Sequence, residues 1–499
     1  MRKTLGMLLV LGLLVSLIAG CSSGDSSADH SYTQRAPIQS EEKQSQDSTQ
    51  SYDDMYFQDY GTNPYVNTAE DQFSTFALDV DTGSYTLARN YIEEGSLPPG
   101  EAVRPEEFIN YFDFEYDPPT DSTFAIYAGG GPAPFGNKAE AQLVRIGIKG
   151  KEIADENRKR ANLTFVIDVS GSMNKDNRIE LVKRSLKLLV NQLNASDQIG
   201  IVVYGSTARK VLDPTSVENA DLILDVIDSL QIEDATNVEA GLLEGYKMAS
   251  KSYDKESINR VILCSDGVAN IGETGPESIL KTIEDYSGRN IYLSTFGFGM
   301  GNYNDVLMEQ LADKGNGSYA YIDDIDEAKT IFQEELTGTL QTIAKDAKIQ
   351  VEFDPDQVDS YRLIGYENRA IADEDFQNNR VDGGEIGAGH TVTALYEVIL
   401  QDKASTQIGK VTIRYKDVDE KNKTEQLSEP IRLSGQLSEE ARFIASVAEF
   451  AEIMKHREGG EGERLQEVLR LARETAASER QDDFVYLVER ALEIDGSIR

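Results

Sequence analysis

The stretch NLTFVIDVSGSM, residues 162–173, constrains the fold of this chain more than any other part of it. Its first part, Leu163 to Val169, is an apolar run rich in β-branched residues, which is typical of a strand buried on both faces. One carboxylate and two hydroxyls follow at alternate positions, on Asp168, Ser170 and Ser172. If the loop stays extended, their oxygens face one side, which suits a small hard cation with oxygen ligands. The sequence therefore predicts a buried strand that leads into a metal site.

The segments on either side of this stretch alternate between strand and helix patterns. Helical spacing of apolar residues predicts helices that include 179–193, 238–250 and 326–336. Apolar runs predict further strands at QIGIVVYGS, RVILCSDG, IYLSTFGFG and GSYAYID, with a short edge strand at ARKVLDPTS. We therefore expect an α/β fold with a doubly wound, mostly parallel sheet, flanked by β-rich and helical domains. Ligands in such folds bind beyond the carboxyl ends of strands, where Asp168 and Asp266 lie.

The D-x-S-x-S pattern resembles the metal-ion-dependent adhesion site of the von Willebrand factor A family, which is also known from integrin inserted domains. The resemblance implies two further ligands from later loops, which match Thr236 in DATNVEAGL and Asp266 in VILCSDG. It implies that Mg²⁺, or Mn²⁺, is held by the two serine hydroxyls and, in the ligand-competent state, by the threonine, while both aspartates act largely through water. A carboxylate from a protein partner would then complete about six-fold coordination.

The first residues predict an export signal. Basic residues precede an apolar run from Leu5 to Ala19, and the run ends in Ile-Ala-Gly-Cys. This ending is typical of a bacterial lipoprotein signal peptide, here residues 1–20, cleaved before a lipid-modified Cys21. The run has about 15 apolar residues, fewer than the ~20 that span a bilayer, which favours a lipid anchor over a transmembrane segment. We therefore expect a lipid-anchored protein of the cell envelope, on the outer face of the cytoplasmic membrane or in the outer membrane.

Composition and pattern divide the rest of the chain into five segments. We expect a tether rich in Ser, Gln and acidic residues at 21–71, followed by an N-terminal α+β domain at 72–158. The von Willebrand factor A domain is expected at 159–340, a β-sandwich-like domain at 341–437 and a helical segment at 438–499. Segments such as LPPGEAVRPEEFINYF and GEIGAGHTVTALYEV are similar to a family of bacterial lipoproteins. In that family a von Willebrand factor A domain lies between an N-terminal domain and a C-terminal domain of unknown function.

The net charge of −38 limits the partners of the chain. Nucleic acid is excluded because its phosphates would repel such a surface, whereas a cationic partner or a divalent ion fits, and the charge would also serve solubility. Three His and two Cys leave almost no material for a zinc cluster or a Ser-His-Asp triad. Cys264 lies inside an apolar strand, and we expect it to be a buried core residue.

We therefore expect a binding protein rather than an enzyme, one that captures an acidic-residue-bearing protein ligand through the metal site. One alternative is an assembly cofactor or regulator of an envelope complex or of an ATPase machine. Another is a metal-dependent hydrolase, although no His or spare carboxylate near the motifs offers a general base. Integrin-type relatives also imply that the domain's last helix, predicted at 326–336, shifts when the site engages a ligand. A rigid connection is the alternative to that coupling.

Overall fold

The computed structural model describes residues 55–78, 81–114, 116–136, 140–233, 235–267, 276–301, 303–402, 404–419 and 423–496. The predicted signal peptide, the predicted lipidation site Cys21 and most of the predicted tether lie outside these residues.

The strands are, in chain order, β1 (Val66–Asn67), β2 (Phe73–Ala77), β3 (Phe124–Pro132), β4 (Gln142–Gly150), β5 (Ala161–Asp168), β6 (Gln198–Tyr204), β7 (Ala208–Ser216), β8 (Ile258–Ser265), β9 (Tyr292–Phe298), β10 (Tyr319–Ile322), β11 (Thr342–Phe353), β12 (Val358–Ile364), β13 (Gly384–Gly387), β14 (Thr391–Leu400), β15 (Gln407–Asp417) and β16 (Lys423–Leu433). The α-helices are α1 (Gly83–Glu93), α2 (Pro105–Asn110), α3 (Arg178–Gln192), α4 (Ala220–Asp228), α5 (Val238–Lys251), α6 (Pro276–Ser287), α7 (Asp305–Lys314), α8 (Ile325–Lys329), α9 (Leu336–Leu340), α10 (Glu439–Lys455), α11 (Gly462–Thr475) and α12 (Glu479–Ile494).

The segment from β5 to β10 forms the predicted doubly wound sheet, in the spatial order β10-β9-β8-β5-β6-β7. Neighbouring strands are parallel except for β7, which runs antiparallel to β6 at the edge. Every residue of β5 and β8 is buried, because helices cover both faces of the sheet. Leu186 of α3 belongs to the core on one face, and Tyr246 of α5 belongs to the core on the other. The predicted fold class is thus confirmed, and Cys264 is a buried core residue as predicted.

The strands before and after this segment pair with each other in a second sheet. Among the described residues its ten strands follow the path β1-β12-β14-β4-β3-β16-β15-β11-β13, with β2 paired to β11. Ile146 of β4, for example, lies opposite Ala394 of β14, about 250 residues later in the chain. The prediction of an N-terminal α+β domain at 72–158 and a separate β-sandwich at 341–437 is therefore wrong, because both segments contribute to one sheet and one core. Pairing over such a distance leaves no local pattern in the sequence.

The tether predicted to extend to residue 71 ends earlier, because residues 55–71 already contact the loop between β9 and α7 and the ten-stranded sheet. The amide of Tyr56 donates to the carbonyl of Tyr303 at 2.9 Å, and the side-chain amide of Asn63 donates to the carbonyl of Gly365 at 2.7 Å. Thr68 is buried, and β1 pairs with β12. These contacts are mostly hydrogen bonds of a polar segment, so the low hydrophobicity that predicted a tether does not reveal them.

The C-terminal segment is helical as predicted, but its helices share a core with the N-terminal helices α1 and α2. The ring of Phe112, just after α2, has its centroid 5.3 Å from that of Phe443 in α10 and 5.7 Å from that of Phe484 in α12. Both ring pairs meet edge to face, an arrangement that aromatic quadrupoles favour. None of the helices in the described ranges is long and apolar enough to cross a bilayer.

The helix predicted at 326–336 is divided into two short α-helices. α8 ends at Lys329, a π-helical turn spans Thr330–Glu334, and α9 begins at Leu336. The amide of Glu335 donates to the carbonyl of Thr330 at 2.9 Å, five residues back rather than four. Single π turns of this kind are frequent at functional positions of helices. Because α9 leads directly into β11 at Thr342, this divided helix connects the two sheets.

Candidate metal site

Asp168 is the last residue of β5, and its side chain is fully buried at the carboxyl edge of the parallel sheet. One carboxylate oxygen accepts the amide of Ser170 at 2.8 Å. The other accepts the hydroxyls of Tyr204 at 3.1 Å and Ser265 at 3.0 Å, from the ends of the neighbouring strands β6 and β8. Three donors from three adjacent loops and strands therefore fix the orientation of this carboxylate.

The two serines of the D-x-S-x-S pattern lie side by side. Their hydroxyl oxygens are 3.0 Å apart, with Ser170 buried and Ser172 half-buried. A short 3₁₀ segment, Gly171–Asn177, follows and leads into α3. The structure thus brings the Asp168 carboxylate and both hydroxyls together on one side of the loop.

Asp266 follows β8, next to Ser265, and is also fully buried. Its carboxylate accepts a hydrogen bond from Arg178 Nη1 at 3.0 Å. Arg178 is the first residue of α3, is 3% exposed, and also donates to the carbonyl of Met300. Gly299 has a φ of +82°, and a Cβ at this position would overlap the arginine side chain, so the site needs glycine there. A buried internal cation therefore accompanies the second aspartate.

Thr236 lies in the loop that leads into α5 and is almost completely buried. Hydrogen bonds tie this loop to the same edge of the sheet: the amide of Glu233 donates to the carbonyl of Val169, and that of Asn237 to the carbonyl of Gly205. Within the described part of the chain, no hydrogen bond joins Thr236 to the other four predicted ligands. The structure thus places Thr236 in a loop bonded to the site, without a direct contact to its oxygens.

The two aspartates make this edge of the sheet electrostatically unfavourable for further negative charge. Burial raises the pKa of the Asp168 carboxyl to about 6, and repulsion from Asp266 adds to the effect. Burial and the nearby Asp168 likewise hold the pKa of the Tyr204 hydroxyl well above its ordinary value. A cation at this position would relieve both effects.

The donor set fits a hard divalent cation. It offers two carboxylates and three hydroxyls, all oxygen ligands of the kind that Mg²⁺ prefers, on Asp168, Asp266, Ser170, Ser172 and Thr236. In the described residues there is no group of three or more His, Cys, Asp or Glu that could hold a metal. A metal at this site would therefore depend on the hydroxyls as much as on the carboxylates.

Arg178 is the residue of this site that the sequence pattern did not reveal. A cation in the first turn of a helix is unfavourable for the helix macrodipole, which indicates that such a residue has a specific partner. A basic residue at the start of a predicted helix, a few residues after the predicted metal loop, was therefore the one sign in the sequence that Arg178 has a role at this site. The partner itself, Asp266, lies 88 residues away in sequence and only the fold brings it close.

Three family models match consecutive parts of the chain. The model described as "von Willebrand factor type A domain" matches residues 162–334, which contain the site and the parallel sheet. The model described as "von Willebrand factor" matches residues 51–145. The model described as "Uncharacterized protein YfbK, C-terminal" matches residues 338–494.

The chain is also similar to individual proteins. It is 40% identical over 358 residues to "Uncharacterized protein YfbK" of Escherichia coli, an alignment that covers 70% of this chain and 62% of that protein. It is 27% identical over 261 residues to inter-alpha-trypsin inhibitor heavy chain H3 of Pongo abelii, covering 48% of this chain and 29% of that protein. The chain thus spans less than two thirds of the length of either relative. Among solved structures, a von Willebrand factor type A protein from Catenulispora acidiphila is 14% identical with a TM-score of 0.43, covering 76% of this chain and 91% of that chain.

Proposed function

Because this chain belongs to the proteins built on a von Willebrand factor type A domain, we propose that it binds a protein ligand through a divalent metal ion held beyond β5 and β8. Domains of this type mediate protein–protein interaction, and the site has the donors for such a role. The observation that carries the proposal is the meeting of two buried carboxylates and a pair of adjacent hydroxyls at one edge of the sheet. The ion would be Mg²⁺ or Mn²⁺.

The bound ion would supply the positive charge that attracts a carboxylate of the partner. Ser170 and Ser172 would hold it through their hydroxyls, and Asp168 would be kept in place by the donors from Ser170, Tyr204 and Ser265. Arg178 neutralises part of the charge of Asp266, so the site has less negative charge than two free carboxylates would give it. The metal would therefore retain net positive charge toward a ligand.

The charge of the whole chain narrows the class of ligand. A protein with a net charge of −38 repels strongly acidic partners at long range. A ligand that suits both the metal ion and the acidic surface of this chain would present an exposed Asp or Glu to the metal, while its surface as a whole is neutral or basic. Association with such a ligand would weaken as salt concentration rises, because salt screens the attraction.

The first test measures metal binding directly. In calorimetric titration of the purified chain from Ser22 onward at about pH 8, above the pKa of Asp168, we expect one Mg²⁺ or Mn²⁺ per chain. Asp168→Ala should abolish the binding because it removes the fixed carboxylate. Ser172→Ala should weaken it about tenfold, and since Ser172 is only half-buried this variant should fold normally.

Asp213→Ala is the matched control for this titration. Asp213 lies in the same domain on β7, with a side chain that is 77% exposed and pairs with Lys210 at the surface. This variant should bind metal as the unaltered chain does. Equal metal binding by the Asp168→Ala and Asp213→Ala variants would refute the metal site, and with it the proposed mode of ligand capture.

We also propose that the protein acts at the cell envelope, anchored by a lipid on Cys21. The proposal rests on the lipoprotein-like sequence before this cysteine, in which the apolar run ends in Ile-Ala-Gly-Cys. Anchoring would hold the metal site outside the cytoplasmic membrane, where protein ligands of the envelope or of other cells are accessible.

A further inference from the structure

A second polar cavity lies at the opposite edge of the parallel sheet from the metal site. It is formed where β8 and β9 begin, at Ile258 and Tyr292, and where α9 leads into β11. β8 has eight residues, so at 3.3 Å per residue this edge is roughly 25 Å from Asp266. The cavity has a volume of about 230 Å³, below the ~300–1000 Å³ typical of drug-sized ligands. It is therefore distinct from the metal site and large enough only for a small ligand.

Three lysines, Lys159, Lys255 and Lys345, line this cavity, and none of the described residues that line it is acidic. Such a group is unexpected in a chain that has 87 acidic and 49 basic residues. Lys345 is half-buried, donates to Asn290 Oδ1 at 2.9 Å, and lies 4.9 Å from the centroid of the Tyr292 ring. Burial lowers the pKa of its ammonium group, and the nearby Glu385 and Asp346 offset this effect only in part.

A buried arginine lies directly behind the cavity wall. Arg260 is 3% exposed and donates to Ser294 Oγ at 2.5 Å and to the carbonyl of Leu340 at 3.3 Å. Its Cζ lies 5.9 Å from the ring centroid of Tyr292, and both Tyr292 and Leu340 line the cavity. Its Nε is buried without a hydrogen-bond partner, and among the described residues no carboxylate is within ion-pair distance of it. Burial accordingly lowers the pKa of Arg260 to about 10.

The acidic groups nearest to this cluster do not neutralise it. Lys159 reaches Asp419 at 3.3 Å and Lys255 reaches Glu256 at 3.3 Å, but all four side chains are about half-exposed or more, so these pairs exchange readily with solvent. Glu385 is close enough to influence Arg260 and Lys345, but burial and the neighbouring Asp382 and Asp346 hold its pKa well above the ordinary value. Its carboxylate accepts a hydrogen bond from Asn316 at 2.6 Å, and among the described residues it forms no ion pair with Arg260 or Lys345. In the described part of the chain, Arg260 and Lys345 thus have no ion-pair partner, and the partners of Lys159 and Lys255 are exposed to solvent.

We propose that this cavity, lined by Lys159, Lys255 and Lys345 and backed by Arg260, binds the phosphate group of a small ligand. A phosphate is a compact multivalent anion, and lysines converging from separate segments of the chain act on it as point charges. Buried cations without acidic partners are unfavourable, and a bound anion would remove that cost. The phosphate could be carried by a soluble molecule or by a phospholipid headgroup, which share the chemistry that the cavity recognises.

The test uses the chain from Ser22 onward in EDTA, so that the outcome is independent of the metal site. One arm measures inorganic phosphate binding by calorimetry, and the other measures sedimentation with vesicles of phosphatidylglycerol or of phosphatidylcholine alone. We expect binding in at least one arm, weakened about tenfold by Lys345→Gln and about threefold by Lys255→Gln, and reduced by added NaCl. Binding in the phosphate arm identifies a soluble ligand, and binding only to phosphatidylglycerol identifies a headgroup.

Lys247→Gln provides the control with the same charge change. Lys247 lies on α5, is 62% exposed, and pairs with Glu244 outside the cavity. Lys255 and Lys345 are at least partly exposed, so their variants should fold, which unchanged melting temperatures would verify. Absence of binding in both arms, or equal loss in the Lys247→Gln and Lys345→Gln variants, would overturn the proposal.

Discussion

Glu106 is buried in the first turn of α2, where an acidic residue would ordinarily face solvent. One of its carboxylate oxygens has no hydrogen-bond partner, and a Cβ at Gly365, whose φ is +75°, would overlap that oxygen. Burial, with a further contribution from Glu367, raises the pKa of Glu106 from 4.5 to about 7. The folded protein therefore binds this proton more tightly than the unfolded chain does.

This shift predicts a loss of stability with rising pH that a single substitution should remove. Below pH 4.5 the carboxyl is protonated in both states, and between about 4.5 and 7 only the folded state retains the proton, so the free energy of unfolding falls through this range. Glu106→Gln keeps the size of the side chain without the charge. We expect this variant to be about 1 to 3 kcal/mol more stable than the unaltered chain above pH 7, with little difference near pH 4.

Scanning calorimetry at several pH values measures this effect as the difference in melting temperature. Glu101→Gln is the control, because Glu101 lies in the preceding 3₁₀ turn and is exposed. Its melting curve should follow that of the unaltered chain at every pH. If the Glu106→Gln variant showed the same pH profile as the unaltered chain, the raised pKa would not be a property of the folded state.

At this same scale, the sequence indicated the candidate ligands of the proposed site but not their surroundings. Asp168 was predictable because a buried strand must end there, and Ser170 and Ser172 because their alternation puts both oxygens on one side. The roles of Arg178 and Glu106 were not predictable, because each depends on a residue from a distant segment. Arg178 donates to Asp266, and Glu106 packs against Gly365. Local pattern carries no information about which distant side chain a buried charge will meet.

At the scale of elements, the divided helix is held from outside by the helices of the other segments. Arg480 of α12 donates to Thr330 Oγ1 in the π turn at 2.8 Å, and its guanidinium lies 5.1 Å from the ring centroid of Tyr111. The Tyr111 hydroxyl donates to Glu327 in α8 at 3.0 Å, and Arg89 of α1 pairs with Glu327 at 3.1 Å. The end of the domain that contains β5 to β10 is thus linked to α1 and α12 through a few polar contacts.

These contacts predict a measurable coupling between the metal site and α12. A metal can shift the divided helix only by its differential affinity for two positions of that helix, and any shift would act on Arg480. We expect saturating Mg²⁺ to change hydrogen exchange in residues 325–340 and also in residues 479–494. In the Arg480→Gln variant the change should be confined to residues 325–340, because the link to Thr330 is lost.

Arg473→Gln is the matched control for this exchange experiment. Arg473 lies on α11, is 57% exposed and pairs with Glu489 at the surface, so its removal should leave both responses intact. Unchanged exchange of residues 479–494 upon metal addition to the unaltered chain would favour the rigid connection instead. The domain that contains β5 to β10 would then be a passive adhesive module.

The two sheets also differ in how far the sequence could predict them. Successive βα units build the parallel sheet, so each strand from β5 to β10 is followed or preceded by the helix that covers it, and periodicity was sufficient. The ten-stranded sheet instead pairs β4 with β14 and β3 with β16 across the inserted domain. Its longer strands carry a strand pattern of their own, whereas β1 lies in the segment predicted to be a tether. The partners of all these strands were set by a core that only forms when both ends of the chain meet.

At the scale of the whole molecule, the net charge of −38 bears on how the protein can stay at a membrane. Anionic lipid surfaces repel such a chain at long range, so its overall charge would not hold it there. A covalently attached lipid supplies apolar anchoring that is independent of charge. The proposed location therefore depends on Cys21.

The final prediction tests this dependence with the chain's two cysteines. Cells fed a fatty-acid analogue should label the unaltered protein but not Cys21→Ser, and the variant should move from the membrane fraction to the soluble fraction. Cys264→Ala is the control: Cys264 is fully buried in the sheet and burial raises the pKa of its thiol, so it is neither accessible nor reactive, and its removal should leave labelling unchanged. Equal labelling of the Cys21→Ser variant would place the lipid elsewhere. The metal site would then have to act without the anchor that we assign to it.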